Sequence, residues 1–110
     1  MRSRRTPSHY DEDDRVECRT PSTGKNGTTR IPRWKYDLVR KALLAVVPRD
    51  PEGIEFRQLP ELVRKKISPA DHRRLGSLSW YTTTVKLHLE VLGELERLAG
   101  CSPQRLRRRR

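Results

Sequence analysis

The chain has 110 residues, 25 of them Lys or Arg against 14 Asp or Glu, so its formal charge is +11, and only 33% of its residues are hydrophobic. That length fits one domain with polar ends rather than core throughout. No run reaches the ~18 apolar residues that span a bilayer. The charged start has no apolar stretch behind it to act as a secretory leader, and Cys18 and Cys101 are too few for a disulfide scaffold. The expectation is a cytoplasmic protein.

Residues 1–14 hold the acidic cluster Asp11-Glu12-Asp13-Asp14 and no apolar periodicity, so they are expected to be a disordered tail. Residues 15–32 read as a strand and loop arm. Val16-Glu17-Cys18-Arg19-Thr20 alternates apolar and polar, and Pro21 to Gly27 is a loop with an Asn-Gly turn pair, closed by Ile31 as an apolar anchor.

Residues 33–107 carry the folded domain. The first helix starts at Pro32 or Arg33, with Tyr36, Val39, Leu43 and Val46 or Val47 on one face. Pro48, Pro51 and Gly53 end it. Ile54-Glu55-Phe56 is a short strand. A second helix runs from about Arg57 to Lys66, beginning near Gln58 or Leu59 because Pro60 must lie in a first turn. Ser68 to Gly76 is a polar connector in which Ser68-Pro69-Ala70-Asp71 could open an extra turn. In the third helix, Ser77 to Gly93, Leu78, Tyr81, Val85, His88, Leu89 and Leu92 share one face at 100° per residue, with Thr82 at its border. Gly93 stops it. Residues 94–98 and 103–107 alternate around a turn and form a hairpin.

Three helices followed by a hairpin, with Ile54–Phe56 as a third strand, make a mainly α fold with a small β-sheet, the winged helix-turn-helix arrangement. The stretch Ser79 to Arg97 resembles the third helix and first wing strand of many winged-helix DNA-binding proteins. Hydroxyl residues come first, then Val85 and Leu89, then Gly93 before the alternating strand. Tyr36-Asp37, Ser79 to Leu87, Leu92-Gly93 and Ser102-Pro103-Gln104-Arg105-Leu106 also resemble a small bacterial family known only as a domain of unknown function. That resemblance spans Tyr36 to Leu106. It implies a winged-helix fold and a bacterial source, and no activity.

Double-stranded DNA is the expected partner, for a transcriptional regulator or a nucleoid-type accessory factor. Ser79, Thr82, Thr83 and Lys86 would face the major groove, where hydroxyls and an ammonium meet bases and phosphates. Arg97, Arg105, Arg107, Arg108, Arg109 and Arg110 would meet the backbone from the wing and from a basic tail at 108–110. The other reading of these arginines is a solvated strand edge. Trp80, Leu87 and Val91 form a second apolar stripe, which either is buried, with Trp80 packed on the first helix or the N-terminal strand, or serves as a dimer or protein interface. A protein-interaction module without DNA binding is therefore the alternative. His9, His72, His88 and the two cysteines lack metal-ligand spacing, and Asp71-His72 has no nucleophile beside it. No metal, cofactor, small-molecule ligand or catalysis is expected.

Overall fold

The computed structural model describes residues 14–20, 28–100 and 102–109. The expected tail 1–14, apart from Asp14, and the loop 21–27 lie outside the described residues. Asp14 itself is held: its carbonyl accepts the Arg33 N–H at 2.7 Å and its carboxylate takes the Arg33 guanidinium at 3.0 Å.

The element order is β1 (Arg15–Arg19), β2 (Thr28–Pro32), α1 (Arg33–Val46), β3 (Ile54–Glu55), α2 (Leu59–Arg64), α3 (Pro69–Leu75), α4 (Leu78–Leu92), β4 (Leu95–Arg97) and β5 (Arg105–Arg108). A 3-10 turn, Phe56–Gln58, leads into α2. Among the described residues, four helices and two small antiparallel sheets thus replace the expected three helices and one sheet. β1 pairs with β2, with Val16 opposite Ile31 and Cys18 opposite Thr29. The second sheet has the order β3-β5-β4.

Two elements depart from the sequence reading for the same physical reason. β2 presents Thr28, Thr29 and Arg30 to solvent and buries only Ile31 and Pro32, so it carries no alternation. α3 buries only Leu75, so it has no apolar stripe. What starts α3 is local chemistry: the Ser68 hydroxyl accepts the Asp71 N–H at 3.0 Å, and Pro69 fits the first turn.

The core gathers Val39 and Leu43 from α1, Leu59 and Val63 from α2, Leu75 from α3, Val85 and Leu89 from α4, and Leu95 and Leu106 from β4 and β5. Each fully buried aliphatic side chain contributes about 1.5–3 kcal/mol. Gly53 lets β3 approach β5: its φ is +63°, and a Cβ there would collide with the Leu106 carbonyl oxygen. At the far end of α4, Gly93 adopts the left-handed cap, and Glu94 N–H reaches the Leu89 carbonyl at 2.9 Å.

One member of the expected core is wrongly placed. Leu92 is 51% exposed, although its wheel angle matches that of Val85. A wheel fixes direction around the axis and not depth along it, and Leu92 sits on the last turn, beyond the packed layer.

Candidate nucleic-acid interface

α4 begins at Ser77, whose hydroxyl accepts the Trp80 N–H at 3.2 Å. The four α4 residues expected to face DNA do not share one surface. Ser79 is exposed and Thr83 half-buried, but Thr82 and Lys86 are 0% and 1% exposed. Both assignments are corrected. Lys86 Nζ lies 2.5 Å from Glu90 Oε2, donates to Gln104 Oε1 at 2.6 Å and sits 4.6 Å from the centre of the Phe56 ring. Burial pushes its pKa down, and the Glu90 carboxylate pulls against that shift. Lys86 bolts α4 to the β4–β5 hairpin and has no free face for a base.

The other side of α4 is apolar and open. Trp80 is 46% exposed and Val91 39%, with Leu87 half-buried between them. Trp80 does not bury itself on α1; it stacks edge-on against Tyr81, with ring centres 4.8 Å apart. The reading that hid this stripe in the fold is corrected.

The arginines of the hairpin divide into two sets. Arg105 is internal to the fold: it donates to the Glu52 and Gly53 carbonyls at 2.8 and 3.3 Å and faces Glu55 at 3.5 Å. Its expected DNA contact is therefore replaced by a clamp on the turn before β3. Arg97 faces Glu90 at 3.4 Å.

Arg107, Arg108 and Arg109 converge elsewhere. Arg108 N–H bonds to the Pro48 carbonyl at 2.8 Å, its Nε to the Val47 carbonyl at 3.2 Å, and Arg109 N–H to the Glu94 carbonyl at 3.1 Å. Residues 108 and 109 are thus stitched to the end of α1 and to the start of the hairpin, rather than forming a free tail. Arg110 lies outside the described residues.

This stitching brings Arg49, just past α1, beside the strand. Arg49, Arg107, Arg108, Arg109 and Glu96 line a groove of about 590 Å³. A second groove, also about 590 Å³, is lined by Arg40, Leu44, Leu92, Gly93, Glu94, Arg108 and Arg109. The two share Arg108 and Arg109. Glu96 is shared between Arg107 at 3.5 Å and Arg109 at 3.9 Å, whereas Glu94 holds Arg40 at 2.9 Å. Among the described residues Arg49 makes no ion pair. The first groove therefore sets four guanidinium groups against one carboxylate, an arrangement suited to phosphate oxygens. Sequence reasoning missed Arg40 and Arg49, because Arg49 comes here through the bonds of Arg108 to Val47 and Pro48, and Arg40 through its pair with Glu94.

The grooves adjoin the C-terminal end of α4, where Leu92 and Gly93 lie. Ser79 is near the other end, about 20 Å away along the helix axis. The expected groove-facing residue Ser79 and the arginines at 107–109 thus lie at opposite ends of α4.

His88 is a structural residue at the edge of the core. Its Nδ1 accepts the Arg19 N–H at 3.0 Å, and its ring meets Tyr36 edge-on at 5.8 Å. Burial, helped by Arg19, lowers its pKa from the ordinary value, while Glu94 opposes the shift. Burial pushes the Cys18 thiol up to about 11, so it is not a reactive thiolate at neutral pH. Among the described residues no three His, Cys, Asp or Glu side chains gather in a metal-binding group, and no helix is long and apolar enough to cross a membrane.

The molecule is a small α/β unit in which Arg49, Arg107, Arg108 and Arg109 gather where its last strand meets the residues after its first helix. The chain belongs to a family of unknown function, DUF6958, whose model matches residues 15–106. No curated protein and no solved structure matches it. Arg107 to Arg109 lie just past the matched span, so the groove is read from this chain's own structure.

Proposed function

We propose that the protein is a bacterial, cytoplasmic winged-helix module that binds double-stranded DNA by its phosphates, with little base selectivity and no catalytic role. In this reading α1, β3, α2 and α4 with the β4–β5 hairpin form the winged-helix unit, α3 is an insertion, and β1–β2 is an added N-terminal strap. The observation that carries the proposal is the pair of adjoining arginine grooves. Guanidinium forks there can take consecutive backbone phosphates, and backbone contacts position a protein on DNA without reading its sequence. A nucleoid-type accessory role fits this better than a regulator that reads one operator, because the buried Lys86 and Thr82 remove half of the side chains that would meet bases.

The test is binding of a random-sequence duplex across a salt series, with the triple variant Arg49→Ala, Arg107→Ala, Arg109→Ala as control. Arg108 is left in place because it holds the strand. A second reading, a protein-interaction module, is favoured by the exposed Trp80 and Val91. Duplex binding that is absent even at low salt would favour it.

A further inference from the structure

We infer that α4 is the contact face of a homodimer, formed by antiparallel pairing of this helix with the same helix of a second copy. Four observations carry this. First, the face is open, with Trp80 46% and Val91 39% exposed. Second, Trp80, Thr84, Leu87 and Val91 fall within an arc of about 60° and extend about 16 Å along the axis.

Third, the face carries no charge, in a chain where 35% of residues are charged. Among the described residues of α4 the formally charged ones are Lys86 and Glu90. They pair with each other, and their side chains are 2% and 9% exposed. A second copy pairing along this helix therefore meets no exposed like charge from α4 itself.

Fourth, the spacing four, three, four reads the same from either end of the helix. A two-fold axis midway between Thr84 and Leu87 sets Trp80 against the second copy's Val91 and Thr84 against its Leu87. Each pairing puts a large side chain against a smaller one, as interlocking helices require. An isologous interface needs this self-complementarity, whereas a foreign partner does not.

The inference is independent of the DNA reading. The arginine grooves adjoin the end of α4, and the two processes respond oppositely to salt. Added salt screens the mutual repulsion of two +11 chains and strengthens the dimer, while it weakens phosphate binding.

Sedimentation equilibrium of the full chain over about a hundredfold range of micromolar concentration tests it. The expected result is a mass rising towards twice the 12.9 kDa of the chain, and rising further with salt. Val91→Glu and Thr84→Glu should each hold the chain at monomer mass while the circular dichroism spectrum and thermal midpoint stay unchanged. Combining Thr84→Glu with Leu87→Lys should restore the dimer, because each new glutamate then faces a new lysine across the two-fold axis. A wild-type mass that stays monomeric throughout, undiminished association in both single variants, or no rescue by the double variant would overturn the inference.

Discussion

Lys86 Nζ donates to Gln104 Oε1 at 2.6 Å, tying the middle of α4 to the residue just before β5. The same ammonium takes the Glu90 carboxylate one turn along the helix. A buried cation of this kind is costly to expose to apolar surroundings alone, and its partners decide what its removal does. Lys86→Ala should leave the buried Glu90 carboxylate with only its longer 3.4 Å contact to Arg97 and destabilise the fold by up to about 3–5 kcal/mol. Lys86→Met combined with Glu90→Leu should recover much of that loss, since well-packed apolar side chains often replace a buried pair without penalty. Urea unfolding of the three proteins measures both. If Lys86→Ala weakened duplex binding while leaving stability unchanged, the bolt assigned to Lys86 would be wrong.

A second prediction concerns acid. In the folded chain His88 has a lowered pKa, so its imidazole stays neutral where the unfolded residue, near 6.5, takes up a proton. The unfolded state then binds more protons, and stability rises with pH through this window. The His88 contribution is complete above about 6.5 and is lost as pH falls below it towards the folded value. A protonated Nδ1 cannot accept the Arg19 N–H, so β1 should loosen from α4 first. Hydrogen exchange should show the Arg19 amide losing protection on acidification. In His88→Phe the stability should lose this acid-dependent step.

The core assignment is checked by a pair of leucines three residues apart. Leu89 is 0% exposed and Leu92 is 51% exposed. Leu89→Ala should cost about 2–5 kcal/mol through lost transfer energy and a cavity. Leu92→Ala should change stability by no more than about 0.5 kcal/mol. Equal losses for the two would mean that α4 is turned or shifted along its axis.

How much of this was legible in the sequence depended on whether apolar periodicity marked the element. α1, α4 and the β4–β5 hairpin have strong patterns with Pro and Gly stops, and their boundaries fall within about two residues of the reading. β1 alternates and was found. β2 and α3 each bury too few side chains to leave a pattern, so in the sequence one is indistinguishable from loop and the other from a polar connector. The site was less legible than the fold. Lys86 lies about 100° from Val85 on the wheel and reads as solvent-facing, yet Phe56 and Gln104 close over it from outside the helix. Trp80 and Val91 fall on the side of the wheel away from Val85, and of the two readings of that stripe, packed or open, the structure has the open one. Arg49 is 58 residues from Arg107 in the numbering, and only the bonds from Arg108 to Val47 and Pro48 make them neighbours.

The arginine groove is proposed to hold DNA phosphates. The most direct measurement is the affinity for a random duplex as a function of salt, for the wild type and for the Arg49→Ala, Arg107→Ala, Arg109→Ala variant. With three to five arginines on phosphates, the wild-type log K should fall against log salt with a slope of roughly −3 to −4.5. The variant should flatten that slope by about three units while its unfolding curve stays unchanged. A variant with the wild-type slope, or a wild type that binds no duplex at low salt, would contradict the claim.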